Sequence, residues 1–343
     1  MIAEALPSWF GIVQPILDAV RIVSSTGFTF EGTLVDAARQ PPPSPDDDFF
    51  DPDPLMRTLH RRLYGVFHAC AGGGGDVGKR ARAAFVERLS AANRGRSRLD
   101  EGWSVVETLA SGAVVAEKWG RTRRCNPGEF LSDAAPARVT RGAALAIRLR
   151  HAAPGLQPGF CYAFGGDLED GFDRLRSVRY YFNIDAAAAP AVVALITQEF
   201  GARAIPFACK CADTAGGFAR RDPCVLYVGA RHAQLVHGVL RAMLPRLAPH
   251  LRPPVPIFTE LLAPGLAFAE EPAGRDSFGG HRMRAVAYGL IAAHARGAAD
   301  DAARGAAILH SFAQHSIDRN APHLSASDSD PFGLRCLRFA DAA

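Results

Sequence analysis

Residues 178–229 read VRYYFNIDAAAAPAVVALITQEFGARAIPFACKCADTAGGFARRDPCVLYVG, and this stretch decides the fold. It contains three short runs rich in aromatic and β-branched residues, which predict strands starting near Val178, Ala204 and Pro223. The apolar pattern of residues 190–200 predicts a helix after the first strand. Because helices separate only some of the strands, the pattern favours an α+β protein over a regular βαβ alternation. The core is predicted to be a mixed or antiparallel sheet with flanking helices.

Further strand-like runs precede this stretch. WSVVET from Trp103, a Ser111-Gly112 turn and AVVAEKW predict a hairpin, and GRTRRC predicts a third strand. Two more runs with strand character are ALAIRLR from Ala144 and FCYAFG from Phe160. Helical periodicity returns at residues 231–247 and again from His281 onward.

The chain divides into two parts by composition. Residues 1–98 are predicted to be a mostly helical N-terminal segment, interrupted by a proline- and aspartate-rich linker at 37–54. Proline lacks the backbone N–H that helices and sheets need, so this linker is predicted to be a loop. Residues 99–343 are predicted to form the α+β domain, which ends in helices and a Ser/Asp-rich tail.

The overall composition excludes several classes of protein. With 48% apolar and 22% charged residues in 343, the chain can bury a substantial core. A net charge of +4 without runs of Lys and Arg does not indicate nucleic-acid binding. No apolar stretch is long enough to span a membrane, and the N-terminal residues lack the basic start of a signal peptide. These features predict a cytoplasmic protein that binds neither nucleic acid nor membrane.

The seven cysteines predict neither a disulfide framework nor a metal site. Their odd number in a long chain favours reduced thiols in a cytosol. Cys209, Cys211 and Cys224 lack the two-residue spacing that is typical of structural zinc sites.

The segment Gly73 to Lys79, GGGDVGK, resembles a phosphate-binding loop. That motif requires a Ser or Thr hydroxyl for magnesium at the next position, where this chain has Arg80, and a preceding strand, where it has a helix-like pattern. We therefore interpret the segment as a flexible glycine-rich loop.

Lysine is rare in this chain. Of 39 basic residues only Lys79, Lys118 and Lys210 are lysines, so arginine has replaced lysine at most positions where either cation suffices. An amine that must accept a proton cannot be replaced by arginine, whose guanidinium stays protonated. Lys210 stands in an apolar strand, where partial burial would lower its pKa, and is the candidate general base. The alternative is an exposed lysine on an edge strand.

Two further segments carry candidate binding residues. In the strand from Val178, Arg179, Tyr181 and Asn183 alternate onto one face, which is either a binding face or a solvated one. Before the strand at Pro223, Arg220 suits bidentate contact with phosphate, or forms a surface ion pair with Asp222.

The segment SFGGHRMRAVAYGL places His281, Arg282 and Arg284 at the start of a predicted helix. Cations are unfavourable at a helix N-terminus, because the helix dipole is positive there. They are easier to explain if an anion binds at this end, where free backbone N–H groups point. The segment therefore predicts an anion site.

These segments together resemble a known family. Between Leu89 and Leu290 the chain is similar to the HopA-type effectors of plant-pathogen type III secretion and to their relatives in class V lanthipeptide and thioamitide biosynthesis. One departure is Glu260, where relatives often carry Lys. The similar stretches are LSAANRGRSRLDEGWSVVE, VVAEKWG, PGFCYAFGG, RYYFNI, IPFACKCAD, FARRDPCVLYV, PIFTELLAPGLAFAEEP and SFGGHRMRAVAYGL.

The resemblance implies an α+β fold and, for the biosynthetic relatives, a lyase that needs no cofactor and no metal. A kinase-like partner phosphorylates Ser or Thr of a precursor peptide, and the HopA-like protein eliminates the phosphate, which leaves dehydroalanine or dehydrobutyrine. Combined with the residue patterns, this predicts the following roles: Lys210 as base and His281 as acid, Arg179, Arg220, Arg282 and Arg284 on the phosphate, Tyr181, Asn183 and Asp222 as orienting groups, and Lys118 as reserve base.

Two other functions remain compatible with these residues. The first is a non-catalytic module that binds a phosphopeptide or a protein, as an effector does when it docks on a host protein. The second is a cyclase that adds the Cys thiolates of a peptide to dehydroamino acids.

Overall fold

The computed structural model describes residues 7–40, 49, 51–70, 78–135, 139–165, 176–274 and 276–339. Within these ranges the chain forms helices and three antiparallel sheets, which confirms the predicted α+β class. Half of the Pro/Asp-rich linker and most of the glycine-rich segment lie outside the described residues. None of the helices in the described ranges has both the length and the apolar character of a membrane span.

The helices are named in chain order. They are α1 (Gln14–Ala19), α2 (Pro54–Leu63), α3 (Lys79–Ala92), α4 (Ala189–Ala202), α5 (Ala233–Leu247), α6 (Phe278–Ala295) and α7 (Asp301–Gln314). A π-helical turn, Tyr64–Ala69, directly continues α2.

The strands form three groups along the chain. The N-terminal sheet contains β1 (Val20–Ser24), β2 (Gly27–Phe30) and β3 (Thr33–Asp36). The five-stranded sheet contains β4 (Arg98–Thr108), β5 (Val114–Lys118), β6 (Arg121–Cys125), β7 (Phe130–Leu131) and β8 (Ala144–Leu149). The central sheet contains β9 (Ala152–Gln157), β10 (Phe160–Gly165), β11 (Ser177–Phe182), β12 (Phe207–Ala212), β13 (Cys224–Gly229), β14 (Glu260–Ala263) and β15 (Leu266–Glu270).

The central sheet has seven strands in the order β14-β15-β11-β13-β12-β10-β9. Its three middle strands come from the stretch 178–229, and β11 pairs antiparallel with β13 from Ser177 opposite Gly229 to Phe182 opposite Cys224. Successive side chains of a strand point to opposite faces, so the two faces of the sheet carry different sets of residues.

Each face of the central sheet is covered by its own helices. One face packs on α3, α4 and α5, with Tyr180 and Leu226 among its buried residues. The other face packs on α2, α6 and α7, and Tyr181, Val225 and Ala267 lie in that second core. The predicted N-terminal segment therefore shares a core with the central sheet through α2.

The prediction that residues 1–36 are mostly helical is wrong for residues 20–36. Helix α1 ends at Ala19, and the β-branched run that begins at Val20 forms β1 instead. Strand β2 buries Phe28 and Phe30 in the core that faces α2. Burial of these aromatic side chains stabilises the N-terminal sheet. The local sequence pattern, which suggested a helix, does not contain this information.

Other predicted elements agree with the structure. Strands β4 and β5 form the predicted hairpin and β6 pairs as its third strand. Helix α2 begins at the end of the Pro/Asp-rich stretch. The Asp53 carboxylate caps this helix by accepting a hydrogen bond of 2.8 Å from the Leu55 backbone N–H. The cysteines are free thiols, as predicted.

Candidate functional site

The candidate site lies on the face of the central sheet that meets α2 and α6. On this face Arg179 of β11 is opposite Tyr227 of β13, and Lys210 of β12 is opposite Val225. The alternation of strand side chains thus brings Arg179, Tyr227 and Lys210 to one side of the sheet. The loop before β13 adds Arg220 and Asp222, as described below.

Lys210 is partly buried on this face. Its Nζ lies 3.8 Å from the centre of the Phe160 ring on β10, and the guanidinium carbon of Arg220 lies 6.0 Å from the same centre. An amine and a guanidinium therefore share one aromatic ring.

Arg220 is fixed by a carboxylate and a phenol. Its Nε and Nη2 donate to the two oxygens of Asp222 at 2.7 and 2.9 Å, and Nη2 also donates to the Tyr64 hydroxyl at 3.1 Å. The side chain is still 23% exposed. Asp222 therefore holds the guanidinium in a fixed orientation, with Nη1 left outside these contacts.

Asp222 stays ionised in this cluster. Although burial alone would raise the pKa of its carboxyl, the Arg220 guanidinium lowers it, and His68 and Lys210 contribute in the same direction. The net pKa lies below the ordinary value for aspartate. A buried carboxylate thus balances part of the positive charge of the site.

Sequence reasoning missed two residues of the site, Tyr64 and His68. Their rings stack with centres 5.2 Å apart on the π-helical turn, and the His68 Nε2 lies 4.0 Å from an oxygen of Asp222. Burial lowers the pKa of His68 to about 4 and raises the pKa of Tyr64 to about 12, so both are neutral near pH 7. Their spacing of four residues on a helix-like segment was the available signal.

Arg179 and Tyr181 lie deeper beneath the site. Arg179 donates through Nε and Nη2 to the carboxylate of Glu271, and its guanidinium carbon stands 5.0 Å from the centre of the Tyr227 ring. Tyr181 is only 1% exposed and packs edge-on against His68. The charge of Arg179 is therefore already matched within the protein.

Arg284, one of the cations at the start of α6, is paired with carboxylates of the protein, and the anion site predicted there stays a prediction. Arg284 donates to both oxygens of Asp276, at 2.9 and 3.2 Å, and its Nη1 is 3.5 Å from Asp51. The carboxylate that precedes the helix supplies the negative charge that we had expected from a ligand.

Arg282 is fully buried, and its Nε and Nη2 donate to the backbone oxygens of Pro322 and Leu324. His281 contacts Arg282 at 2.9 Å and lies near His315, and burial together with the Arg282 charge lowers its pKa to about 4. The C-terminal chain is thus tied to α6 through Arg282, and His281 is neutral near pH 7.

The remaining two predicted residues lie at other places. Asn183 follows the end of β11, where its Nδ2 donates to Pro254 at 2.6 Å and its Oδ1 accepts from Arg252 at 3.0 Å. Lys118 belongs to the five-stranded sheet and donates to Asp100 at 2.8 Å. Asn183 anchors a loop, and Lys118 is in a different sheet from Lys210.

The cluster that forms consists of Lys210, Arg220, Asp222, Tyr64 and His68. It combines a cationic site for an anion with an amine and a phenol, both able to exchange protons. This is an α+β protein whose central antiparallel sheet carries a partly exposed cationic cluster on one face.

The chain belongs to the HopA1 effector protein family, because the sequence profile of that family matches residues 151–324. The match begins later than the predicted resemblance, which started near Leu89, and extends further toward the C-terminus. It includes Lys210, Arg220 and Asp222, whereas Tyr64 and His68 precede it.

Solved structures and curated proteins were also compared. The effector protein from Pseudomonas syringae pv. tomato strain DC3000 is 13% identical, with a TM-score of 0.47 over 80% of this chain and 95% of that one. The effector protein from Pseudomonas syringae pv. syringae strain 61 is 10% identical, with a TM-score of 0.43 over 80% of this chain and 96% of that one. No curated protein matches the chain.

Proposed function

We propose that this protein is a lyase that eliminates phosphate from phosphoserine or phosphothreonine in a peptide. The observation that carries the proposal is the shared position of Lys210 and Arg220 beside the Phe160 ring. A base and a phosphate-binding cation are the two groups that such an elimination requires, and here they are neighbours at a partly exposed place.

The reaction starts with the neutral amine of Lys210, which removes the proton from Cα of the phosphorylated residue. The electron pair of the Cα–H bond forms the Cα=Cβ double bond, and the Cβ–O bond breaks. The phosphate leaves with the bonding electrons, and the products are inorganic phosphate and a dehydroamino acid. No oxidant, reductant or nucleotide enters this balance.

Arg220 binds the phosphate in this scheme. Its Nε and Nη2 are held by Asp222, so Nη1 is the donor available to a phosphate oxygen. Arginine donors to an oxyanion stabilise the negative charge that grows on the leaving group. Asp222 acts as a positioning residue, because it fixes the plane of the guanidinium before substrate binds.

We assign the proton donor to Tyr64 rather than to His281. Since its pKa is near 4, His281 is an uncharged imidazole at neutral pH and therefore a poor proton donor, and its described contacts are with Arg282 and His315. The Tyr64 phenol stays protonated and touches Arg220, the group that receives the phosphate. After transfer, the Lys210 ammonium restores the proton of the phenol through solvent.

The other predicted arginines take supporting roles in this proposal. Arg179 stabilises the sheet face through its ion pair with Glu271 and its contact with the Tyr227 ring. Arg282 and Arg284 stabilise the start of α6 through their hydrogen bonds. Tyr181 packs against His68 on the buried side of the cluster. The phosphate therefore meets one arginine and one lysine, in place of the four arginines of the sequence prediction.

The supply of substrate follows from the same chemistry. A peptide that carries phosphoserine or phosphothreonine requires a kinase reaction upstream, so we propose a kinase-like protein as the functional partner. The dehydroamino acid is an electrophile and suits a later reaction with a thiol.

One observation favours a non-catalytic phosphopeptide-binding module as the second candidate. The carboxylates of Asp222 and Glu271 already pair with Arg220 and Arg179, so part of the positive charge near a bound phosphate is balanced within the protein. A partly balanced site of this kind binds and releases anions readily, which suits reversible recognition of a phosphopeptide.

Intact-mass spectrometry of a synthetic phosphothreonine peptide incubated with the pure protein tests the proposal. Loss of phosphoric acid, without added metal or nucleotide, is the expected result. Loss of phosphate with recovery of the hydroxyl group means hydrolysis and overturns it. Binding of the phosphopeptide without any mass change favours the second candidate.

A further inference from the structure

A second feature lies where the five-stranded sheet meets the central sheet. Residues of β4, β5, β6 and β10 and of the end of α4 line a cleft of about 530 Å³ there. Its lining contains six cationic side chains, namely those of Arg94, Arg96, Arg98, Lys118, Arg121 and Arg150. Asp100 is the one carboxylate among the described residues that line it.

The charge of the cleft is not balanced within the described part of the chain. Asp100 is paired with Lys118 at 2.8 Å, and Arg150 is paired with Glu129, so two of the six cations are neutralised. Arg94 and Arg96 are exposed, and their guanidinium groups make no ion pair with a described carboxylate. Arg98 is likewise exposed and acts electrostatically on Asp100, which Lys118 already holds. Cations crowded into a concave surface repel one another, so the cleft is suited to an anionic ligand.

The cleft adjoins the Lys210 cluster through two aromatic rings. Phe164 lines the cleft and stacks on Tyr162, with ring centres 5.9 Å apart and an angle of 15° between the planes. Tyr162 is the cross-strand partner of Lys210. Phe164 is opposite Ala208, which lies two residues before Lys210 on β12 and on the same face of the sheet, a distance of about 7 Å along a strand. An extended chain of a few residues spans that distance.

The edge of the five-stranded sheet favours a peptide as the occupant. Arg121 begins β6, which pairs on one side with β5 and is an edge strand among the strands that the structure describes. An edge strand offers backbone N–H and C=O groups to an extended peptide. The Trp119 side chain beside it is 84% exposed and adds an apolar contact surface.

We propose that this cleft binds an acidic segment of a peptide, close in sequence to the residue that enters the Lys210 cluster. The inference rests on the proposed function in that both sites would serve one peptide. Binding in the cleft itself requires no phosphate and no turnover, and it is measured separately.

The experiment uses fluorescence anisotropy with a labelled, unphosphorylated peptide that contains a run of Glu and Asp residues. A peptide with Gln and Asn at those positions is the matched ligand control. The parent protein is expected to bind the acidic peptide more tightly than the amide peptide, and added salt should weaken this binding. Equal affinity for the two peptides overturns the proposal.

Two variants locate the binding. Changing Arg96 and Arg98 together to Glu should weaken binding of the acidic peptide by at least about tenfold, because two attractive contacts become repulsive. Changing Arg241 and Arg296 together to Glu, an equal charge change at two exposed positions outside the cleft, should leave binding unchanged. Equal loss in both proteins would mean that overall charge, and not the cleft, determines binding.

Two further readouts separate this inference from its alternatives. A short phosphopeptide without acidic residues should be processed equally by the parent and by the double variant, so failure of the lyase proposal leaves the binding result intact. Tighter binding of a single-stranded oligonucleotide than of the acidic peptide, lost in the same double variant, would overturn the assignment to a peptide.

Discussion

The Nζ of Lys210 lies 3.8 Å from the centre of the Phe160 ring on the neighbouring strand. Because Tyr162 is the cross-strand partner of Lys210, Phe160 is its diagonal neighbour two residues away. The register of β10 and β12 therefore determines where the amine points, and Arg220 reaches the same ring from the loop before β13. Substitution of Lys210 and Arg220 tests the proposed roles of these two cations.

Lys210→Arg should abolish elimination while it retains binding of the phosphopeptide. Arginine keeps the positive charge and the contact with the Phe160 ring, so a purely electrostatic role survives the change. A guanidinium cannot accept the Cα proton, and loss of a general base typically slows a reaction by about 100- to 10,000-fold. Single-turnover elimination and binding of the same peptide are measured side by side.

Lys118→Arg is the matched control for this prediction. Lys118 is paired with Asp100 in the five-stranded sheet, and arginine can keep that ion pair. Turnover of the control should stay close to that of the parent. If Lys118→Arg is inactive while Lys210→Arg remains within about tenfold of the parent, the base is Lys118.

The strands of the central sheet could be predicted largely from sequence. The runs that contain Arg179, Lys210 and Val225 are short, rich in aromatic and β-branched residues, and separated by helical or polar segments. The hairpin β14–β15 and the N-terminal strands were not predicted. Strand β2 depends on Phe28 and Phe30 packing against distant helices, and local sequence does not contain that information.

The candidate site was predictable only in part, for a related reason. The rarity of lysine pointed to Lys210, and Arg220 and Asp222 are two residues apart in the sequence. Tyr64, however, reaches Arg220 across 156 positions of the chain. The carboxylates that pair with Arg284 of α6 include Asp51, which also comes from a distant segment. Tertiary contacts of this kind determine which cationic side chains are paired within the protein and which can bind a ligand.

Arg220→Lys should weaken capture of the phosphopeptide, because the lysine ammonium lacks the planar fork of donors with which arginine can contact Asp222 and a phosphate at the same time. Loss of a charge-assisted contact costs about 1.5–3 kcal/mol, or roughly 10- to 100-fold in kcat/KM. Steady-state kinetics of elimination provide the measurement. Arg284→Lys is the control, because Arg284 pairs with Asp276 and Asp51 outside the cluster, and its kcat/KM should be unchanged.

Gly279→Ala should destabilise the fold and displace His68. A Cβ built on Gly279 would stand 2.2 Å from the His68 ring, which Tyr64 and Tyr181 hold in place. Overpacking of this kind typically costs about 1–3 kcal/mol, which urea unfolding measures. Gly238→Ala is the control, since a Cβ on that helical glycine meets nothing within 4 Å. That variant should be unchanged or more stable by up to about 1 kcal/mol. Equal stability of Gly279→Ala and the parent would show that His68 is not confined.

Buried histidines make the stability depend on pH between about 4 and 6.5. Burial lowers the pKa of His60, His68, His281 and His323 to about 4, so these four side chains remain neutral in the folded protein. In the unfolded chain a histidine titrates near its ordinary value of 6.5. The unfolded state therefore binds more protons in this window, and the free energy of unfolding falls as the pH decreases from 6.5 toward 4.

Urea unfolding at several pH values between 7.5 and 4.5 tests this prediction. The free energy of unfolding should be nearly constant above pH 7 and decrease below pH 6.5. Asp222 contributes in a separate window, because a carboxyl whose pKa is lowered by Arg220 loses its contribution only below the unfolded value near 3.8. His281→Asn keeps an acceptor for Arg282 and removes one titrating ring, so its pH slope should be smaller than that of the parent. Identical slopes for the two proteins would mean that His281 takes up no proton on unfolding, and that its ring is not buried in solution.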